Sequence, residues 1–311
     1  MGSCGHNHCA SRHSRDDQVI KAERITSEDF GGESRRHERI TSARAKSLAG
    51  ALENYLKAET KKRVRRITQE IRRNGPKSFI EVKKANGEEE EWDEERLLKI
   101  IALYGVRQIL DSGREIAGST WAIPPAVRDN YLFEKQVLVQ RIPKNLEKEM
   151  RGTIGRALGT WFVEEPGLTI QQISQRLRKW LTVPSAAETP YELKPLGKRF
   201  TPEGLGARAR MIARTEINQA RNRGRLEAGK SIGTQYWIWI AETDGLSGDR
   251  QHEALDGQVR RTGEPFVNPV TGVALEYPGD ASADDAGEII NCRCSIRPLT
   301  ADQAKQFGIG D

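Results

Sequence analysis

Residues 244–297 limit the fold of this chain more than any other stretch. They contain Asp-Gly, Ser-Gly, Asn-Pro and Pro-Gly pairs, which favour tight turns over helix. Near the end of this stretch, Ile290, Cys292, Cys294 and Ile296 alternate with polar residues. Because successive side chains of a strand point to opposite faces, this period of two predicts a strand over 290–296 with both cysteines in the core. The chain must therefore build a small sheet near its carboxyl end.

The residues before this stretch have helical periodicity. Over 205–228, apolar residues form one arc at about 100° per residue, made of Leu205, Ala209, Ile212, Ala213, Ile217 and Ala220. Glu216 falls inside that arc, whereas Arg214 falls on the far side. A carboxylate on a buried face needs a partner. We therefore predict that Glu216 forms an ion pair with an arginine or with His252, and a catalytic acid is the alternative.

The rest of the chain predicts a mainly helical amino-terminal part, so the fold class is α+β. Apolar spacing predicts helices over 36–73, 97–110 (ending near Gly113), 124–141 (stopped by Pro143), 146–163 and 170–181 (opened by a capping box at 169–172), with a β-hairpin at 78–92 and a central strand at 236–240. The predicted organisation is a disordered tract (1–35), a helical domain (36–183), a Pro-rich linker (184–204), a domain in which a long helix packs on the sheet (205–300) and a tail (301–311).

The net charge of +6 favours an anionic partner. Basic residues are concentrated on the polar side of the first helix, at Lys61, Lys62, Arg63, Arg65, Arg66, Arg72 and Arg73. Such a surface binds phosphates without reading bases, so the candidate ligand is double-stranded DNA, bound non-specifically. The alternatives are a solvated face or pairing with the acidic run at 88–91. No apolar run reaches membrane-spanning length and no signal peptide is recognisable, so we expect no membrane partner.

Two groups of residues have metal-binding chemistry. Cys4, His6, His8 and Cys9 crowd into a tract with almost no core formers, where we expect adventitious binding only. Asp249, His252, Cys292 and Cys294 offer donors that suit zinc. Because one-residue spacing of cysteines is weak evidence for zinc, we predict instead that both pack as apolar side chains. His252 is then expected to bond to Glu216, Asp256 or a backbone carbonyl, and no metal or cofactor is predicted.

An ordered set of short motifs gives the sequence a family likeness. The set comprises Ala-Arg214-Thr-Glu216, Trp239, Asp249-Arg-Gln-His252-Glu-Ala-Leu-Asp256-Gly257, Glu-Pro-Phe266, Tyr-Pro-Gly-Asp280 and Ile-Asn291-Cys292-Arg-Cys294. Over about residues 150–300, it resembles the phage Mu protein F-like minor head proteins, which carry the phage head morphogenesis domain. The sequence departs from the family over 244–249, where relatives often read Asp-x-Arg-Thr-Arg or carry a cysteine pair.

The resemblance implies a minor structural protein of a phage head, near the portal vertex, acting in head assembly and in DNA packaging or ejection. Its implied partners are the portal protein and the major capsid or scaffolding protein, and its implied location is the virion, after assembly in the host cytoplasm. The motif residues Arg214, Glu216, Asp249, His252, Asp256, Gly257, Asn291, Cys292 and Cys294 are then structural, and no catalytic residue is predicted.

Two enzyme classes remain as alternatives to this structural role. One is a metal-assisted nuclease using His252, Asp249 or Asp256, although a single histidine with scattered acids makes a poor catalytic set. The other is a toxin-like ADP-ribosyltransferase, suggested only by the sequence Arg214-Thr-Glu216.

Overall fold

The computed structural model describes residues 31–75, 92–165, 167–169, 171–173, 175–176, 202–242, 252–283 and 285–307. In these ranges, long helices come first: α1 (Gly31–Asn74), α2 (Glu94–Ala117), α3 (Pro125–Glu164) and α4 (Pro202–Ser231). Short elements follow: β1 (Tyr236–Ile240), β2 (Val259–Arg261), β3 (Phe266–Val267), β4 (Ala274–Leu275), α5 (Ala286–Ile289), β5 (Ser295–Leu299) and α6 (Ala301–Gln306). The predicted α+β class is confirmed.

Some predictions concern residues beyond these ranges. Residues 1–30, residues 78–91 of the predicted hairpin with its acidic run at 88–91, and residues 184–201 of the predicted linker all lie outside the described residues. Residues 202–204, the end of the predicted linker, are part of α4. The capping box at 169–172 is confirmed, since the Gln172 amide N–H donates to the Thr169 hydroxyl over 3.3 Å and the Thr169 amide N–H donates to the Gln172 side chain over 2.8 Å.

A core of apolar side chains holds the long helices together. It takes Leu48, Leu52, Leu56, Ile67 and Ile71 from α1, Leu97 and Ile101 from α2, Leu146, Met150, Ile154 and Leu158 from α3, and Leu205, Ala209, Ala213 and Ile217 from α4. The helical periodicity read from the sequence therefore corresponds to one shared core. The arc predicted on α4 is part of it.

Two predicted helix ends are wrong, and packing explains both. The helix predicted to end near Gly113 continues to Ala117. Gly113 has a packing role there, because the Trp121 ring fills the space where a side chain would be: a Cβ on Gly113 would lie 2.1 Å from a carbon of that ring. Pro143 lies inside α3 instead of ending it. Proline inside a helix costs about 3 kcal/mol, but Val139 and Leu146 on either side of it are both buried in the helical core, and their burial favours an uninterrupted helix.

The sheet is antiparallel with the order β2-β1-β5, so β1 is the central strand, as predicted. Its Trp237 and Trp239 pack towards α4 with Leu226, and its Tyr236 and Ile238 pack towards α6. The other predicted strand is wrong in its bounds. It begins at Ser295, because Asn291 adopts a left-handed conformation (φ 61°) in the turn after α5 and leaves Ile290 exposed.

Helix α4 belongs to two cores at once. Its amino-terminal half packs in the helical core, whereas Leu226 packs with the tryptophans of β1. The division of the chain into a helical domain and an α+β domain stays a prediction. The structure adds that α4 joins the residues on both sides of that division.

Candidate functional site

A buried ion pair joins α4 to α3. The Lys135 amine lies 2.7 Å from a Glu216 carboxylate oxygen, and both side chains are at most 6% exposed. Lys135 also donates to Gln219 and lies 5.0 Å from the centre of the Tyr131 ring. Burial, and after it the charge of Glu216, raise the pKa of Tyr131 well above its usual value, so the phenol stays neutral. The prediction of a paired Glu216 holds, but its partner is neither an arginine nor His252.

Two arginines extend this connection along α4. One guanidinium nitrogen of Arg223 donates to both carboxylate oxygens of Glu134 of α3, over 2.7 and 2.8 Å. Arg225, which is fully buried, lies 2.7 Å from Glu115 of α2 and donates to the backbone oxygen of Ile296 over 3.3 Å. Arg225 therefore contacts the helices and the sheet together.

Amide side chains on α4 hold the segment that carries the cysteines. Asn218 and Asn222 both donate to the backbone oxygen of Cys294 over 3.1 Å, and Asn222 also donates to the oxygen of Pro278 over 3.2 Å. In return, the Asn222 oxygen accepts the amide N–H of Ile296 over 3.2 Å. Since this segment has no strand partner of its own before residue 295, these bonds fix its position.

Arg214 and Asn291, both predicted motif residues, meet at the end of this segment. The Arg214 guanidinium donates to the Asn291 side-chain oxygen over 2.8 Å, and the Asn291 amide N–H donates to the hydroxyl of Thr215 over 2.8 Å. These bonds hold the left-handed turn from which the cysteine segment starts. Arg214 and Glu216 therefore serve two different contacts, one to this turn and one to α3.

His252 and the two cysteines come together next to Trp239 of β1. The His252 Nδ1 atom lies 3.6 Å from the Cys292 sulfur and 3.5 Å from the Cys294 sulfur. The three residues are 4%, 2% and 1% exposed. The edge of the His252 ring meets Trp239, with ring centres 5.6 Å apart. Both cysteines are buried as predicted, yet they face a histidine nitrogen instead of purely apolar neighbours.

The other ring nitrogen of His252 contacts a buried carboxylate. Its Nε2 atom lies 2.5 Å from Glu288, which is itself 2% exposed. Glu288 accepts hydrogen bonds from Thr271 over 2.7 Å and from Asn268 over 3.3 Å. The predicted partners of His252 were therefore wrong. Glu288, Asn268 and Thr271 were missed because a turn-rich segment has no periodicity that marks an inward-facing side chain.

The remaining motif residues shape the loop that carries His252. Asp256 accepts the amide N–H of Ala241 over 2.8 Å, and Gly257 takes the left-handed conformation (φ 75°) that lets its N–H reach the Trp239 oxygen over 2.9 Å. Asp249, the fourth residue of the predicted zinc alternative, lies outside the described residues.

The surroundings of the cluster change the acidity of its groups. Hydrogen bonds from Cys292, from His252 and from the Glu242 backbone N–H hold the pKa of the Cys294 thiol well below its usual value, although burial opposes them. Burial lowers the pKa of His252, but its contacts with Cys294 and Glu288 outweigh burial, and the net shift is upward. The cluster therefore favours the thiolate, which is the form of cysteine that binds metals.

The basic residues predicted on α1 divide into exposed and buried ones. Lys61, Lys62, Arg65, Arg72 and Arg73 are exposed, and Arg66 is half-buried. Lys62 pairs with Glu59 at 2.6 Å. Arg63 is buried, with Glu147 at 3.3 Å and the Trp92 ring centre at 5.5 Å, so it does not belong to the exposed basic surface.

Residues 165–297 match the family described as Phage Mu protein F like protein. This part of the chain is similar to the phage Mu protein F-like family. This confirms the resemblance seen in the motifs and indicates a phage head morphogenesis protein. The family is structural, which favours a non-enzymatic role. No curated protein and no solved structure matched the chain.

The phage Mu protein F-like domain, residues 165–297, includes α4, nearly all of the sheet and the His252 cluster, whereas α1, α2 and all of α3 precede it. The ion pairs of Glu216, Arg223 and Arg225 with α2 and α3 therefore join this domain to the helices before it. Among the described helices, none combines the length and the apolar character that a membrane crossing needs.

Proposed function

We propose that this chain is a minor structural protein of a phage head, placed near the portal vertex, where it acts in head assembly and in DNA packaging or ejection. The observation that carries the proposal is the match of residues 165–297 to the phage Mu protein F-like family. Its partners are then the portal protein and the major capsid or scaffolding protein. Its location is the virion, after assembly in the host cytoplasm.

The contacts of the motif residues support a structural role over an enzymatic one. Glu216 is neutralised by Lys135, and Arg214 is bonded to Asn291, so the Arg-Thr-Glu sequence is used to join elements of the fold. His252 and Cys294 are at most 4% exposed, which leaves a substrate little access to them. These contacts favour an architectural domain over a nuclease or an ADP-ribosyltransferase.

The way α4 is held supports an adaptor with two connected parts. Apolar packing and buried ion pairs join α4 to α1, α2 and α3, and amide bonds join it to the sheet. A partner held by the helices is therefore mechanically connected to whatever holds the sheet. Such a connection suits a protein between the portal and the shell.

Quantitative mass spectrometry of purified heads, combined with chemical cross-linking, tests this role. We expect the chain in the particle at far fewer copies than the major capsid protein, with cross-links to the portal protein. As a matched test of specificity, heads assembled without portal protein should lack the chain. The proposal fails if purified heads do not contain the chain, or if it is present in shells whether or not the portal is there.

The exposed basic residues of α1 support non-specific binding of double-stranded DNA. Lys61, Arg65 and Arg73 are exposed on α1. Replacing all three by Gln should weaken binding equally for unrelated DNA sequences. It should also reduce the slope of log affinity against log salt by up to about 0.9 for each phosphate that the protein no longer neutralises.

A second triple variant with the same loss of charge distinguishes an effect of the α1 surface from an effect of the net charge of the protein. Lys99, Arg107 and Arg128 are also exposed but lie on α2 and α3. Replacing these three by Gln removes the same charge, and we expect little change in DNA affinity. Equal effects of the two triple variants would show that α1 has no specific role, and no binding by the parent would remove DNA as a ligand.

A further inference from the structure

Three metal-binding side chains converge in the interior of the phage Mu protein F-like domain. The donor atoms of His252, Cys292 and Cys294 all lie within 4.8 Å of one another, and all three residues are buried. His252 opens a short 3₁₀ turn after β1, whereas the cysteines precede β5. The fold thus brings together donors that are about 40 residues apart in the sequence.

The spacing of the donors fits a zinc ion. A tetrahedral zinc with Zn–S bonds of about 2.3 Å and a Zn–N bond of about 2.0–2.1 Å separates sulfur from nitrogen by about 3.6 Å. The two sulfur–nitrogen distances here are 3.6 and 3.5 Å. An ion can therefore bind between the three atoms with little movement of the fold. Sulfur and imidazole are also the donors that zinc prefers over magnesium or calcium.

The histidine is oriented as a metal ligand requires. Its Nε2 atom faces Glu288, whose carboxylate holds a proton there, and Nδ1 faces both sulfurs. Nδ1 is therefore the nitrogen that would bind the metal, which displaces the proton that Nδ1 shares with the sulfurs. Thr271 and Asn268 hold Glu288 in turn. A carboxylate that holds the far nitrogen of a ligating histidine is a regular feature of zinc sites.

We propose that His252, Cys292 and Cys294 bind a structural Zn²⁺ ion, with Glu288 as the residue that positions His252. The ion joins the turn after β1 to the segment before β5, two stretches without regular secondary structure. Its three protein ligands leave the fourth position of the tetrahedron to a further ligand. This conclusion replaces the sequence-based prediction of two apolar cysteines, since the structure places a histidine nitrogen between them.

The first experiment measures zinc in the full-length chain. Cys4, His6, His8 and Cys9 are replaced by Ser, because that tract would bind metal by itself. This background protein is purified with zinc chloride in the buffer, dialysed and analysed for metal. We expect about one zinc per chain. Replacing Cys292 or Cys294 by Ser should remove most of it. Absence of zinc from the background protein would overturn the proposal.

X-ray absorption at the zinc edge tests the same ligands without replacing any of them, so the result does not depend on whether the cysteine variants fold. In the zinc-loaded background protein we expect two sulfur neighbours at about 2.3 Å and nitrogen or oxygen neighbours at about 2.0–2.1 Å. A shell of only oxygen and nitrogen would overturn the site even if zinc were present. Removing the zinc with a chelator should lower the melting temperature of the protein, and an unchanged melting temperature would contradict a structural role.

A substitution beyond the ligands tests the positioning role of Glu288. Glu288→Gln keeps all three donors and should weaken zinc affinity by about 10–100-fold. The matched control is Glu276→Gln, the same change at a carboxylate that pairs with Lys230 near the surface, and it should leave zinc affinity unchanged. Equal affinities in both variants would refute the role assigned to Glu288.

Discussion

The two sides of α4 are held by different kinds of contact. Towards the helices, α4 presents small and branched apolar side chains and charged groups that pair with Lys135, Glu134 and Glu115. Towards the sheet, Asn218 and Asn222 bond to backbone atoms of short segments. Long helices satisfy their own backbone, so they need only packing and charge balance. Short segments need partners for their backbone, so they depend on particular side chains.

This difference predicts two kinds of weakness. A substitution on the helical side should act through a stranded charge or a steric clash. One on the sheet side should act through backbone groups left without a partner, and its effect should be confined to the cysteine segment. The three substitutions below test this division, from the largest expected loss of stability to the smallest.

Glu216→Ala should cause the largest loss. Removing the carboxylate strands the buried Lys135 charge, and breaking a buried pair costs about 3–5 kcal/mol of unfolding free energy. Urea unfolding measures this. The double replacement Lys135→Met with Glu216→Leu should recover most of the loss, because no charge is then left in the core. The control Lys99→Ala removes an exposed partner of Glu95 and should leave stability unchanged. An unaltered unfolding curve for Glu216→Ala would mean that the pair is not buried in solution.

The sequence showed that Glu216 is buried but not what it meets. Its place in an apolar arc follows from the helical period of the apolar residues between Leu205 and Ala220. From residue 215 to residue 222 every side of α4 is buried, so the period alone does not identify the partner of Glu216. Lys135 is 81 residues earlier, on a helix whose exposed positions carry many charges, and nothing local distinguishes a buried lysine from those. Pro143 is a second example. Tertiary packing keeps α3 helical on both sides of this proline, and the local sequence does not show that packing.

The sequence predicts the burial of the two cysteines around His252 but not their contact with it. The alternation from Cys292 to Ile296 showed that both sulfurs point inward, and this is true although the strand begins only at Ser295. Their meeting with His252 depends on the turn after β1, and the contact with Glu288 depends on the one-turn helix α5. Such short elements take their geometry from the surrounding contacts, so periodicity does not predict which side chains they turn inward.

Asn222→Leu should cause the second largest loss. The change keeps the volume of the side chain but leaves the Ile296 N–H and the oxygens of Cys294 and Pro278 without this partner. The Cys294 oxygen keeps its bond from Asn218, so the loss comes mainly from the Ile296 N–H and the Pro278 oxygen. At about 1–2 kcal/mol for each of these two groups, we expect about 2–4 kcal/mol in total. Hydrogen exchange should rise most at β5 and in the cysteine segment. Asn54→Leu on the exposed side of α1 is the matched control and should change neither. Uniformly faster exchange across α1 and α2 would contradict the division between the two sides of α4.

Gly224→Ala should cause the smallest of the three losses, and its control should change stability in the opposite direction. A Cβ on Gly224 would lie 2.4 Å from the backbone oxygen of Ile109 and 2.9 Å from its Cα atom, so α2 and α4 must separate. Overpacking of this kind costs about 1–3 kcal/mol.

Gly155 is also inside a helix, but its Cβ position has nothing within 4 Å. Gly155→Ala should therefore stabilise the protein by about 0.5–1 kcal/mol, the usual gain from replacing a helical glycine. Because both variants make the same chemical change, opposite signs in urea unfolding would attribute the loss at Gly224 to the close approach of the two helices. A gain at both positions would show that α2 and α4 lie farther apart in solution than their backbone contact implies.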